Sequence, residues 1–253
     1  MRLFILAAAS AGAFFGGSYG YDWARTSPTF GIKRVTFTGL SHAAETDLLK
    51  LAGLGPGQNL VALDVAATEK AMQAHPWIKS VAISRHFPDS VSVKVVEHVP
   101  EAIVALGDLY LLDADGDPFK RVQAGDSLDL PLVSGIERDA YMKAPSESEQ
   151  KFRGALEVVR AYLDSAAGKG TSVSEARIEN EEVVLVLSGN GQEIRMGEGD
   201  VDQKLARLSQ VKAELQKRGL VADVIHLDNR LRAGWVTVKL SAPGSSERKP
   251  GAQ

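Results

Sequence analysis

The feature that most constrains this chain is a long uncharged stretch near its start. No charged side chain lies between Leu3 and Tyr21, whereas Arg2 precedes the stretch and Asp22 and Arg25 follow it. In a helix, a segment of this length extends about 28 Å, which is just enough to cross the hydrocarbon core of a bilayer. The residues after this stretch must therefore form the folded part of a chain whose start is directed to a membrane.

Two interpretations of this stretch remain open. As a transmembrane anchor covering residues 1–25, it presents small residues at helical spacing, where another helix can approach closely: Ala8, Gly12, Gly16 and Gly20. As a signal peptide, it offers a small-residue cleavage site at Ala9-Ser10-Ala11. We favour the anchor. In either case the positive charge at Arg2 predicts that Trp23 and all later residues lie outside the cytoplasm.

The composition is that of an ordinary globular protein. Of 253 residues, 44% are hydrophobic and 24% are charged, with a formal net charge of -3. This balance argues against wholesale disorder, and it provides no strongly basic patch that would make nucleic acid or a phospholipid surface the main partner. The absence of cysteine excludes disulfides, thiolate zinc sites and cysteine nucleophiles. The fold must therefore be held together by its packed cores.

Residues 29–98 show the pattern of a small α+β domain. Alternating apolar residues and helix caps predict five elements: a strand over Ile32–Phe37, a helix from Ser41 to Gly53, a helix from Asp64 to His75, and strands over Trp77–Arg85 and Val91–Val96. Ser41 and Asp64 are the expected caps at the two helix starts, and Pro76 stops the second helix. The order β-α-α-β-β predicts two helices on one face of a three-stranded sheet.

This region also carries several short motifs. They are Ile32-Lys33-Arg34-Val35, Gly57-Gln58-Asn59-Leu60, Pro76-Trp77-Ile78-Lys79-Ser80-Val81, and Val95-Val96-Glu97-His98-Val99-Pro100-Glu101-Ala102. In this order they resemble a POTRA domain, and more closely the POTRA domain of the FtsQ/DivIB cell-division family. We expect Trp77 to pack where the helices meet the sheet, and Arg85 to pair with Glu97 across neighbouring strands.

Residues 99–240 predict a second domain, rich in strands. The predicted strands are Ala102–Leu106, Leu109–Leu112, Leu130–Val133, Ala176–Glu179, Val183–Leu187, Gln192–Met196, Ala222–Leu227 and Trp235–Leu240. Asp113-Ala114-Asp115-Gly116 provides a turn between two strands, and Gly189-Asn190-Gly191 provides another. The polar tail over residues 241–253 is expected to be disordered.

Two helices interrupt these strands. Ser146 and Glu149 form a capping box before one helix, whose apolar positions follow helical spacing: Phe152, Leu156, Val159 and Leu163. Asp200 and Gln203 cap the other helix, which ends at Gly219 and has its own apolar stripe: Val201, Leu205, Leu208, Val211 and Leu215.

Three further motifs extend the resemblance along this domain. They are Leu109–Gly116, Leu130–Gly135 and Asp228-Asn229-Arg230. They are similar to segments of the β domain that follows POTRA in the FtsQ/DivIB family. The resemblance implies an α+β protein with an N-terminal transmembrane helix and a β-α-α-β-β POTRA domain. A mixed α/β domain follows, with a largely antiparallel sheet and two helices.

Signals for catalysis and cofactor binding do not combine into a site. Gly16-Gly17-Ser18-Tyr19-Gly20 matches the G-x-S-x-G pattern of hydrolases, but it lies within the apolar segment with no strand before it. Asp113, Asp115 and Asp117 imitate a calcium loop, but Pro118 replaces its invariant glycine. The five histidines are scattered. We therefore predict no enzyme activity, no metal, no cofactor and no small-molecule substrate.

A partner-binding surface is predicted at the end of the second domain. The last predicted strand before the polar tail comprises Trp235, Val236, Thr237, Val238, Lys239 and Leu240. We expect it to lie at the edge of the sheet, where a strand can pair with an incoming chain. The resemblance implies that this strand, with the preceding helix, receives FtsB/FtsL-like coiled-coil proteins. We assign Arg230 and Gly234 to the same site, with Arg230 able to pair with an acidic partner group.

The expected function is therefore that of a division scaffold at the bacterial inner membrane, with most of the chain on the periplasmic side. The resemblance further implies that the POTRA domain binds other divisome components. The alternative is a POTRA adaptor in outer-membrane protein transport. That role generally accompanies tandem POTRA repeats or a β-barrel, and neither pattern occurs in this sequence.

Overall fold

The computed structural model describes residues 18–126, 129–197, 199–228 and 235–241. The chain divides into two units, residues 1–98 and residues 99–253. The predicted anchor lies mostly outside the described residues, as do the small-residue positions Ala8, Gly12 and Gly16. Within the described part, no helix is both long and apolar enough to cross a membrane.

The first described element of this unit is a helix, α1, over residues 18–26, followed by a single 3-10 turn at Pro28–Phe30. The elements after it are β1 (Arg34–Thr38), α2 (Glu45–Ala52), α3 (Val65–Met72), β2 (Ile78–His86) and β3 (Ser90–Glu97). The predicted β-α-α-β-β order is thus confirmed. The sheet has the order β1-β3-β2, with β3 parallel to β1 and antiparallel to β2.

One core fills the space between this sheet and its helices. Val91, Val93 and Val95 are at most 3% exposed and share one face of β3. Leu48 of α2 and Met72 of α3 are fully buried in the same cluster, which places both helices on that face. Two predicted caps are confirmed. The Asp64 side chain accepts a hydrogen bond from the N–H of Ala67 at the start of α3, and Gly53 adopts the left-handed backbone conformation at the end of α2.

Two predictions about Glu97 and its neighbourhood are wrong. Ser41 does not cap α2; the cap position is Ala44, which makes no side-chain hydrogen bond. Glu97 does not pair with Arg85, because Glu97 lies opposite Ile78 at one end of the β2–β3 hairpin and Arg85 lies opposite Val91 near the other. The Arg85 guanidinium instead donates to the carbonyl of Leu63.

The Glu97 carboxylate is bound by the loop before α2. It accepts hydrogen bonds from the backbone N–H groups of Ser41 (3.0 Å), His42 (2.9 Å) and Ala43 (3.0 Å). The His42 ring lies 3.0 Å from the same carboxylate and stacks on Trp77 at 4.0 Å between ring centroids. Trp77 is half-buried and packs against the core, as predicted.

The second unit has one nine-stranded sheet and three helices in its described residues. Its strands are β4 (Pro100–Leu106), β5 (Asp108–Asp113), β6 (Pro118–Arg121), β7 (Leu132–Ser134), β8 (Val173–Glu179), β9 (Glu182–Leu187), β10 (Glu193–Arg195), β11 (Ala222–His226) and β12 (Thr237–Leu240). Its helices are α4 (Arg138–Lys143), α5 (Pro145–Asp164) and α6 (Val201–Lys217). Strand β6 and the short helix α4 were not predicted.

The order of strands in this sheet is β12-β11-β10-β9-β8-β7-β4-β5-β6. Neighbours are mostly antiparallel, as predicted, with parallel pairs at β10–β11, β7–β8 and β4–β7. Two of the parallel pairs arise where a helical connection returns the chain in its original direction: α4 and α5 lie between β7 and β8, and α6 lies between β10 and β11.

Helix α5 begins one residue before its predicted capping box. Pro145 is its first residue and the cap position is Ala144, so Ser146 already lies within the first turn. Tyr162 is fully buried, whereas Leu163, assigned to the apolar stripe, is 43% exposed. The predicted cap of α6 is confirmed, since the Asp200 carboxylate accepts from the N–H of Gln203.

Helix α6 is held against α5 by a lysine. The Lys212 ammonium donates to the Tyr162 hydroxyl and to the Ala167 carbonyl, both at 2.8 Å, and lies 5.1 Å from the Tyr162 ring centroid. Leu205 and Leu208 bury the apolar face of α6 in the same core as α5. This packing fixes the helix that precedes β11, and with it the end of the sheet.

Candidate functional site

The last described strand, β12, is the terminal strand of the nine-stranded sheet. It pairs antiparallel with β11, with Val238 opposite Ile225 and Thr237 opposite His226. Beyond the strand, the N–H of Ser241 donates to the carbonyl of Val221 at 2.9 Å. Only one side of β12 is therefore occupied among the described strands.

The direction of the backbone groups follows from this pairing. The N–H of Ser241 points to β11, and successive residues of a strand alternate between the two sides. The backbone groups of Thr237 and Lys239 therefore also point to β11, while those of Val238 and Leu240 point to the open side. A foreign extended segment can form hydrogen bonds with these two residues without disturbing the existing ladder.

Apolar side chains surround this edge. Val236 and Val238 pack against the core of the second unit, while Trp235 is 58% exposed and Leu240 is 46% exposed. Two more exposed apolar residues, Leu220 and Val221, lie directly before β11. Sequence reasoning missed this pair; its signal was two adjacent apolar residues after Gly219, where a helix had ended.

The opposite edge of the same sheet is protected. Strand β6 begins with Pro118, which has no N–H to offer. Its Lys120 forms a salt bridge with Asp126, and its Arg121 lies 2.7 Å from Asp108. Proline and paired charges are the usual means of blocking an edge strand. Because β12 contains no proline and a single charged residue, Lys239, it is the more receptive edge.

The predicted site residues are partly brought together. The strand itself covers Thr237 to Leu240, and Trp235 and Val236 precede it in non-strand backbone. Arg230 and Gly234 lie outside the described residues. In the first unit, Gly20 lies in α1, and a Cβ added at this glycine would have no atom within 4 Å.

The solvent-facing side of the sheet centre carries a charged network. Arg177 of β8 donates to Glu175 at 3.2 Å and to Glu179 at 3.1 Å, and lies 3.5 Å from Glu193. Hydrogen bonds to Glu175 and Glu179 raise the pKa of Arg177 above its ordinary range. Hydrogen bonds from Arg195 and Arg177 lower the pKa of Glu179. The charges satisfy one another, which indicates a structural role.

In the described ranges, no group of three or more histidine, aspartate or glutamate side chains is placed to hold a metal ion. The Asp113 carboxylate accepts hydrogen bonds from the N–H groups of Asp115 (2.9 Å) and Asp117 (3.1 Å). This is the turn that the sequence predicts between two strands.

Comparison with known proteins identifies both units. A family described as "POTRA domain, FtsQ-type" matches residues 30–98, and "Cell division protein FtsQ/DivIB, C-terminal" matches residues 102–228. The second match ends before β12. Neither is an enzyme family.

Relatives that match most of this chain belong to the same family. The chain is 49% identical over 231 residues to the cell division protein FtsQ of Myxococcus fulvus, covering 91% of this chain and 81% of that protein. It is 38% identical over 236 residues to FtsQ of Anaeromyxobacter sp., covering 93% and 79% respectively. With FtsQ of Neisseria meningitidis it shares 24% identity over 234 residues, 91% of each chain.

The fold and the matches together define a POTRA-containing protein of bacterial cell division. More specifically, this chain belongs to the FtsQ/DivIB family, as its motifs predict.

Proposed function

We propose that this cell-division protein acts as a scaffold in the divisome, bound to the inner membrane by residues 1–25 and exposing its two domains on the periplasmic side. In this role it works by binding other proteins and not by catalysis. The observation that carries the proposal is the outer edge of β12, which contains no proline, pairs only with β11 among the described strands and is bordered by exposed apolar side chains.

The partner at this edge is an FtsB/FtsL-like chain, which adds a strand next to β12. Backbone hydrogen bonds to Val238 and Leu240 provide affinity, and apolar partner side chains cover Leu240 and Val221. Trp235 is a suitable anchor, because large aromatic side chains contribute strongly to protein interfaces. Arg230 and Gly234 are proposed to extend the same surface.

The POTRA domain is proposed to bind other divisome components. Its strand β1 is the terminal strand of the three-stranded sheet, and Arg34, Thr36 and Thr38 are exposed along it. This is a second edge, with polar side chains, so it suits a different partner from that of β12.

The test is a proline at Val238. Proline removes the N–H that points to the open side and leaves the hydrogen bonds between β12 and β11 in place. Losing one backbone hydrogen bond and introducing a clash should weaken binding by roughly 10- to 100-fold. Binding of an FtsB-like peptide to the full chain in lipid nanodiscs is measured by fluorescence anisotropy.

Val238→Ala is the matched control. It removes the same side-chain contacts with the core but keeps the N–H, so its affinity should stay close to that of the wild type. Thermal unfolding of both variants reports whether the sheet is intact. Equal affinities for Val238→Pro and wild type would refute strand addition at β12.

A further inference from the structure

Three aromatic rings connect the end of α1 with the tip of the β2–β3 hairpin. The rings of Trp23 and Phe30 meet edge to face at 6.3 Å between centroids, and those of Phe30 and Phe87 do so at 6.1 Å. We call these three residues the junction aromatics. They belong to one unit of the chain, although Phe87 is far from Trp23 in sequence.

The backbone at this junction is fixed by hydrogen bonds. The Asn59 side-chain amide donates to the carbonyls of Ala24 (2.9 Å) and Ser27 (3.0 Å), which lie at the end of α1. The N–H of Leu60 donates to the Phe30 carbonyl at 2.7 Å. Ser27 is only 7% exposed. Because these bonds join α1 directly to the POTRA domain, the hairpin tip has a defined position relative to the helix end.

The aromatic side chains around this junction are exposed to an unusual degree. Tyr19 is 80% exposed, Tyr21 55%, Trp23 58% and Phe87 62%. A group of large exposed apolar residues generally marks an interaction surface. Tyrosine and tryptophan at the end of an apolar segment are characteristic of the boundary between membrane and water.

The position of the uncharged stretch indicates which occupant suits this surface. Tyr21 is its last residue, and Trp23 follows two residues later. If the stretch spans the hydrocarbon core, Trp23 enters the headgroup layer, which is roughly 5–7 Å thick on each side. The ring centroids of Phe87 and Trp23 are at most about 12 Å apart, which is close enough for both rings to contact one headgroup layer.

The charges at the hairpin tip suit an anionic surface. The Lys33 ammonium lies 3.2 Å from the Asp89 carboxylate, and its side chain remains 70% exposed. Arg34 is exposed. The hydrogen bond from Lys33 lowers the pKa of the Asp89 carboxyl, and the nearby charge of Arg34 lowers it further. Two cations therefore surround one carboxylate, leaving a local positive excess that favours anionic lipid headgroups.

We propose that the hairpin tip carrying Phe87 rests in the headgroup layer of the membrane, so that the POTRA domain contacts lipid directly through the junction aromatics. This inference rests on the anchoring proposed above. It assigns a lipid-contacting surface to the POTRA domain and predicts that the domain stands at a fixed height and orientation on the membrane.

The test uses the full chain in nanodiscs of phosphatidylethanolamine and phosphatidylglycerol. Because the chain contains no cysteine, one introduced cysteine can be labelled selectively with an environment-sensitive fluorophore. The label is placed at Phe87→Cys or, as a matched control, at Val96→Cys. Val96 is also an exposed apolar residue, 47% exposed, but it lies about 20 Å further along β3 from the tip.

Lipids with a nitroxide near the headgroup should quench the label at position 87 and shift its emission to the blue, with neither effect at position 96. A second measurement excludes insertion driven by the label itself. The label is moved to the exposed Ser84 of β2, and Phe87→Ser is added. Removing one apolar ring should lower the ratio of membrane-contacting to free orientations roughly tenfold.

The outcomes separate the two proposals. If the wild-type chain does not enter the discs, anchoring and lipid contact both fail. If it enters but the label at position 87 is unquenched, anchoring stands and the lipid contact is refuted. Equal quenching at positions 87 and 96, or a Ser84 signal unaffected by Phe87→Ser, also overturns the assignment. Thermal unfolding of each variant verifies that the domain remains folded.

Discussion

The stability of the POTRA domain should depend strongly on Glu97. Its side chain is only 6% exposed, and its carboxylate accepts hydrogen bonds from three consecutive backbone N–H groups, those of Ser41, His42 and Ala43. This arrangement fixes the loop between β1 and α2 to the end of β3. We predict that Glu97→Gln destabilises the domain, because the amide loses the charge that strengthens the three bonds at Oε1 and places an NH2 group where Oε2 accepts from the His42 N–H.

The magnitude follows from the bonds that are lost. A hydrogen bond to a charged group contributes about 1.5–3 kcal/mol, and an unpaired buried N–H costs about 1–3 kcal/mol. All three N–H groups can still donate to Oε1 of the amide, so the loss comes from the missing charge and the missing acceptor at Oε2, and we expect a total of about 2–3 kcal/mol. For a domain of this size, that loss lowers the melting temperature by roughly 10–20 °C.

The effect should depend on pH in a defined direction. Burial raises the pKa of the Glu97 carboxyl, but hydrogen bonds from Ala43, Ser41 and His42 outweigh it and hold the pKa below its ordinary value of 4.5. A carboxyl with a lowered pKa stabilises the fold above its unfolded pKa. The difference between wild type and Glu97→Gln should therefore be full at neutral pH and shrink as the pH falls below about 4.5.

Thermal unfolding of the full chain and amide hydrogen exchange over residues 40–52 test this prediction. Exchange at the amides of residues 41–43 should accelerate in Glu97→Gln. Glu45→Gln, an exposed change in the first turn of α2, is the control and should cost less than about 1 kcal/mol. If Glu97→Gln unfolds within about 0.5 kcal/mol of wild type, with the same exchange, the reasoning is wrong.

Two further predictions concern the second domain. Gly135 has φ +100°, and a Cβ there would lie 2.0 Å from the Ile178 carbonyl oxygen, so Gly135→Ala should cost about 2–4 kcal/mol. Gly154→Ala, in the middle of α5 with no atom within 4 Å, should instead stabilise by about 0.5–1 kcal/mol; calorimetry showing the same sign for both would contradict this. Arg177→Met removes the cation shared by three glutamates and should cost about 1–2 kcal/mol at low salt, less at high salt. Urea unfolding at two salt concentrations measures this, with Arg207→Met, whose guanidinium donates to the Gln203 carbonyl, as the control; a loss that grows with salt would refute the argument from repulsion among the three glutamates.

Local signals in the sequence accounted for most of the elements. The alternation of Val91, Val93 and Val95 marked a strand with one buried face, and Asp64 and Asp200 marked helix starts, because a cap acts on residues only two or three positions away. Weak local signals were missed. Strand β6 begins at a proline, and helix α4 has six residues and no buried side chain.

The candidate site was predicted only in part. The pattern from Trp235 to Leu240 indicated a strand, but not that β11 would be its one partner among the described strands. Leu220 and Val221 join the same surface because β11 and β12 are paired, and this pairing places Val221 beside Ser241. The contact of Phe87 with Phe30 likewise had no counterpart in the motif pattern.

The sequence by itself determined the family, the order of elements and the uncharged segment at the start, since these depend on residue type and spacing along the chain. Only the tertiary structure decided that β12 is the terminal one of the described strands, that Glu97 binds the loop before α2 rather than Arg85, and that the rings of Phe87 and Trp23 both contact Phe30. Each of these depends on pairing between segments distant in the chain. Such pairing is selected by the packing of the whole domain and leaves no local pattern.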